Sequence, residues 1–154
     1  MRLILALTAL LIASVAPASA QFRAVTVDAS AIAAQGYPTF AHRVEAAVAP
    51  AVASVFADRV NPGDPRGLTL VVRILSVSLP TATYSSRESE NDYMVSEGLV
   101  VDPRGRVVAS ASVRSPVVAW TTVASLPVEI EEQRRMHQLG LHAAGWLRNR
   151  LGGL

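Results

Sequence analysis

The 154-residue sequence contains no cysteine. Its absence excludes disulfides, thiolate metal sites, a thiol nucleophile and the acylated N-terminal Cys of a bacterial lipoprotein. Lysine is absent too, since all 14 Lys+Arg residues are arginines. That removes Ser–Lys dyads and Schiff-base lysines. Aromatic residues make up only 5%. The 14 basic and 12 acidic residues alternate along the chain, without a like-charged block of the kind that binds nucleic acid. A Gly-x-Ser-x-Gly elbow and a phosphate-cradling glycine loop are both missing. No cofactor is expected.

One apolar run is present, at the start. Met1-Arg2 precede an apolar stretch from Leu3 to Ala16, and Pro17-Ala18-Ser19-Ala20 follow before Gln21. A basic residue, a short apolar segment and small residues at Ala18 and Ala20 form a signal-peptide pattern, with cleavage expected after Ala20. Pro17 ends the apolar helix and leaves the cleavage segment extended. A spanning helix needs about 20 apolar residues, and this run is shorter. Residues 1–20 therefore read as a cleavable signal peptide and residues 21–154 as a single domain, periplasmic or secreted. No lipobox and no later membrane span accompany it. The mature chain has 154 − 20 = 134 residues and, without Arg2, a net charge of 13 − 12 = +1.

Phe22–Asp28 alternates as a strand, with Phe22, Ala24 and Thr26 on one face and Arg23, Val25 and Val27 on the other. Pro38 suits a helix first turn, and Phe40, Val44, Ala47/Val48, Ala51/Val52, Val55 and Val60 continue an apolar stripe. Pro50 should kink or split this helix. Leu68–Leu79 is apolar on both faces, which predicts a central strand covered on both sides. Pro80–Asn91 is a polar connection. Tyr93–Val101 and Arg106–Ala119 pair as a hairpin around Asp102-Pro103-Arg104-Gly105, where Gly105 is free to take positive φ.

A final helix opens at Ser125-Leu126-Pro127, with Ser125 as its cap. Met136, Leu139, Ala143, Leu147 and Leu151 form its inner stripe, flanked by Ile130 and Trp146, and Glu131 and Arg135 make an i,i+4 pair. The order β-α-β-β-β-α predicts an α+β fold: a mainly antiparallel four-stranded sheet with two helices packed on one face.

This order resembles a broad group of small bacterial envelope proteins. They include LptE, the N-terminal domain of TolB and the periplasmic domain of CsgG. Leu68–Leu79, the hairpin Val100-Val101-Asp102-Pro103-Arg104-Gly105-Arg106-Val107-Val108 and Leu139–Leu151 carry the likeness. The resemblance implies assembly or binding rather than catalysis. The chain departs from the lipoprotein members in lacking the lipobox Cys, so tethering is not implied.

Residue chemistry supports the same expectation. His137 and His142 lie five apart and point about 140° from each other on a helix, which does not suit metal binding. His42 and Glu45 read as a surface pair. Glu88, Glu90 and Asp92, like Glu129, Glu131 and Glu132, read as solvated charge. Tyr84, Arg87, Tyr93 and Trp120 are the residue types that anchor interfaces, but for Tyr93 and Trp120 completion of the core is the favoured reading. The expected function is a non-enzymatic periplasmic protein of the cell envelope. It would bind an envelope protein or self-associate, through a sheet edge or the Pro80–Asn91 connection. The alternatives are a lipid or glycan site between sheet and helices, and a hydrolase with dispersed catalytic residues.

Overall fold

A computed structural model describes residues 22–80, 91–117 and 127–152. The chain runs β1 (Phe22–Asp28), α1 (Ser30–Ala34), α2 (Pro38–Phe56), a 3-10 turn (Ala57–Arg59), β2 (Leu68–Ser78), β3 (Asp92–Val101), β4 (Val107–Val117) and α3 (Val128–Leu151). Among the described residues there are three α-helices where two were expected. The additional one, α1, occupies the stretch that carries no clear periodicity, and Gly36 at φ 97° separates it from α2.

The fold is α+β, with one four-stranded sheet in the order β1-β2-β3-β4. The sheet is mixed rather than mainly antiparallel: β1 pairs with β2 in parallel, and β2-β3 and β3-β4 are antiparallel. A parallel pair needs a long crossover, and the two helices between β1 and β2 supply it.

Register shifts interrupt all three ladders, at Arg23, Leu75 and Val108. An extra residue reverses the inward-outward phase of the strand beyond it. Thus Phe22 is buried, and beyond the bulge Val25 and Val27 pack on the core while Thr26 is exposed. Leu70, Val72 and Ile74 face inward, and beyond Leu75 so do Val77 and Leu79. The alternation expected of Leu68–Leu79 is therefore largely one inner face that changes phase at a bulge, with Val71 left on the outer face, and among the described residues the helices lie on one side of the sheet.

All three helices contribute to that single core. Ile32 of α1, Val44, Val48, Val52 and Phe56 of α2, and Met136, Leu139, Ala143, Leu147 and Leu151 of α3 pack with Leu70, Val72, Ile74, Met94, Val100 and Val113 of the sheet. The inner stripe of the last helix is as expected. Phe56 meets Phe22 edge to face, with ring centroids 5.9 Å apart. The two long helices approach closely because position 140 is glycine: a Cβ there would lie 3.1 Å from both Ala51 and Val48 side chains.

Several local expectations are corrected. Pro50 does not split α2, which runs unbroken from Pro38 to Phe56. Ala46, whose carbonyl has no N–H at Pro50 to accept from, is an exposed residue, so that carbonyl can be satisfied by solvent. Val60 lies outside the helix and bridges to Phe22. Ile130 and Trp146 are half exposed rather than packed. Glu131 pairs with Arg134 instead of Arg135. The N-cap of α3 is Pro127, with no side-chain cap; Ser125 lies outside the described residues.

Candidate functional site: the open face of the sheet

With the described helices on one side of the sheet, pairing in the ladders builds the other side row by row. Ala24, Thr69, Val101 and Val107 form one row across the strands. Thr26, Val71, Leu99 and Ser110 form the next, followed by Asp28, Arg73, Glu97 and Ser112. Ser76, Val95 and Arg114, then Ser78, Tyr93 and Pro116, complete the face. None of these side chains is buried by a helix; all are half-buried or exposed. Val107 is 56% exposed and the bulge residue Val108 51%. A polar row carrying Asp28, Arg73 and Glu97 thus lies between rows that mix apolar and polar side chains.

In the charged row, Arg73 lies 3.8 Å from Asp28 and 3.7 Å from Glu97. These are loose, solvent-screened pairs. The Asp28 carboxyl sits below its ordinary range, chiefly because Ser30 hydrogen bonds hold its charged form, with Arg73 adding attraction. Arg23, displaced by the first bulge, donates to Thr69 Oγ1 at 3.0 Å and so also lies along this face.

Both edges of the sheet are guarded. At β4, Arg150 of α3 donates to the Ser112 carbonyl at 2.9 Å, Pro116 has no N–H to offer, and the Val108 bulge breaks the flat edge. At β1, the Asn61 N–H donates to the Phe22 carbonyl at 2.8 Å, and the strand is only seven residues long. The edges are less available to a partner than the face.

One end of the face holds a groove of about 710 Å³ lined by Ser78, Pro80, Asn91, Tyr93, Arg114 and Pro116. The Arg114 guanidinium stacks over the Tyr93 ring, 4.6 Å from its centroid. The groove lies on the open side, whereas the sequence placed a ligand site between sheet and helices, where the core packs instead. Behind the groove, Arg135 of α3 reaches the chain on both sides of residues 81–90. It forms a bidentate pair with buried Asp92 and donates to the Pro80 carbonyl at 2.9 Å. This carboxylate pairing raises the already high Arg135 pKa and keeps the guanidinium charged.

Of the candidate interface anchors, Tyr93 lies half-buried on the open face rather than in the core it was expected to complete, and Tyr84, Arg87 and Trp120 lie outside the described residues. Arg114 was not among them, although its place on the polar side of a strand marks it as outward-facing. His42 and Glu45 approach only to 3.9 Å on the surface, as their spacing suggested. His137 Nδ1 lies 3.2 Å from the Ala47 carbonyl. Among the described residues, no group of three His, Cys, Asp or Glu could hold a metal ion, and no helix is long and apolar enough to cross a membrane.

No protein-family model and no curated protein matches the chain. Among solved structures, the chain is similar to a candidate lipoprotein from Caulobacter crescentus CB15. The TM-score is 0.51 at 12% identity, over 86% of this chain and 88% of that one. This likeness concerns the fold alone. A weaker similarity is to PelC from Paraburkholderia phytofirmans, solved as a dodecamer. Its TM-score is 0.39 at 13% identity, over 81% of this chain and 91% of that one.

Proposed function

We propose that residues 21–154 form an exported, non-enzymatic domain of the bacterial envelope that works by protein–protein association through the open face of its sheet. The signal-peptide pattern ending at Ala20 supports export. The single observation that carries the association is the one-sided sheet. Val71, Val95, Leu99, Val101 and Val107 lie on the face opposite the helices, and both sheet edges are guarded. Apolar side chains set among polar ones, on a rigid surface, suit a protein partner.

Site-specific photo-cross-linking in intact cells tests this reading. A photoreactive residue replacing Leu99 should give a discrete adduct with a protein, and one replacing His142 on the exposed side of α3 should not. Mass spectrometry of the same material should show a mature N-terminus at Gln21. Absence of any adduct at Leu99, Val71 and Ser110 in correctly exported protein would refute the association.

A second reading, a domain for a small lipid or glycan, draws on the groove beside Tyr93 and Arg114. It predicts that soluble envelope glycan or lipid protects Arg114 from guanidine-directed modification. Equal modification with and without these ligands would remove it.

A further inference from the structure

The partner of the open face can be derived from the order of residues across it. We infer that the face docks on a second copy of this chain, about a two-fold axis running parallel to the strands between β2 and β3. The inference rests on the association proposed above and names its partner.

An isologous interface requires a surface complementary to itself. A two-fold axis in the interface plane, parallel to the strands, keeps each row at its own height and reverses its order. It therefore lays β2 of one copy over β3 of the other. Because Arg73 pairs with Glu97 in the ladder, Arg73 of each copy then faces Glu97 of the partner subunit, twice in the dimer. Val71 and Leu99, also ladder partners, meet in the same way, as do Thr69 and Val101. The ladder pairs Val107 with Val101, so Ala24 at the other end of that row comes over Val107.

The alternative in-plane axis, perpendicular to the strands through the charged row, lays Arg73 over Arg73 and Glu97 over Glu97. Charge selects the first arrangement. Within each copy Arg73 holds its carboxylates only at 3.7 and 3.8 Å, which leaves its donors available for a second acceptor.

The size is adequate. Strands about 4.8 Å apart with a rise of about 3.3 Å per residue give the four-stranded face an area of roughly 600 Å². Doubled, that reaches the lower end of stable interfaces, about 1,200 Å² in total. Two sheets stacked face to face about 10 Å apart and twisted by about 30° are a standard packing. The near-balance of Arg23, Arg73 and Arg114 against Asp28 and Glu97 on the face suits a copy of itself better than an anionic lipid surface.

The test uses the mature chain and sedimentation or light scattering. The wild type should show a concentration-dependent dimer. Arg73→Glu and Glu97→Arg should each weaken it by on the order of tenfold or more, since each places like charges across the axis. An equimolar mixture of the two variants should dimerise again, although each copy still carries a like-charged pair internally. Only contact between copies produces that recovery.

Should either variant fail to fold by circular dichroism, a cysteine-free background offers a second test. Separate copies carrying Val71→Cys and Leu99→Cys, once mixed, should be joined by a short bis-maleimide, and copies carrying His142→Cys should not. A monomeric wild type at high concentration overturns the inference. So does a mixture that stays monomeric, or cross-linking no better than the His142→Cys control. If the photo-adduct at Leu99 is with a different protein, association stands and self-docking falls. If there is no adduct at all, both fall.

Discussion

Arg135 ties one end of the sheet to the helix layer. Its guanidinium holds Asp92, 2% exposed, and the Pro80 carbonyl. Removing one member of a buried ion pair strands the other's charge, at about 3–5 kcal/mol. Arg135→Met, which keeps the aliphatic stem, should therefore lower the unfolding free energy in urea by about 3 kcal/mol. Adding Asp92→Asn should restore part of the loss, because no charge is then left buried; a further full-sized drop would mean that Asp92 has another partner. Glu131 provides the acid dependence. Its hydrogen bonds with Arg134 hold the carboxyl below its ordinary value of 4.5. In acid the unfolded chain takes up this proton first, so stability rises with pH through that range. The contribution is complete above 4.5 and is lost as pH falls through the lower folded value. Asp28, Asp58 and Asp102 act in the same direction below their ordinary 3.8. Urea midpoints should be level from about pH 7 to 5 and fall below about 4.5. Glu131→Gln should lower the plateau and flatten the acid decline; an unchanged profile would show that the pair contributes nothing.

The elements were legible where a single period held throughout. The inner stripe of α3 and the hairpin at Asp102 both follow from the sequence pattern. In that turn Gly105 has φ 81° and Asp102 Oδ1 accepts the Arg104 and Arg106 N–H groups at 2.9 Å. The bulges were not legible. A strand that changes phase at Leu75 looks, residue by residue, like one that is apolar on both faces, and only the ladder distinguishes them. The parallel pairing of β1 is not written in the strand either, because direction is decided by the helical crossover that joins β1 to β2. The close passage of α2 and α3 at Gly140 is also a property of the pair. Gly140→Leu should cost about 2–3 kcal/mol, since the added side chain meets Val48 and Ala51 where there is no space. Gly145, with nothing within 4 Å of an added Cβ, should behave oppositely: Gly145→Ala should stabilise by about 0.5–1 kcal/mol through helix propensity. Thermal or urea denaturation of the two variants decides this, and equal effects would contradict the packing.

At the scale of the molecule, a one-layer sheet has two hazards, its face and its edges. The sequence pointed to association but favoured an edge or the Pro80–Asn91 connection. Tyr93 was legible as a candidate by residue type, whereas Arg114 and the rows around Arg73 and Glu97 exist only once the strands are in register. Guarding of the edges was equally invisible, because the guards come from elsewhere in the chain: Arg150 from α3 and Asn61 from the turn before β2. The consequence is a directional one. Face-to-face docking about a two-fold axis closes at two copies, but pairing along β4 extends a sheet without limit. Arg150→Ala frees the Ser112 carbonyl on that edge and should therefore give slow, concentration-dependent growth of high-mass species by light scattering, with strand content rising in circular dichroism. Arg104→Ala at the exposed hairpin tip removes the same charge without touching the edge, and should leave the protein as it was. If the two variants aggregate alike, net charge rather than Arg150 keeps the edge from pairing.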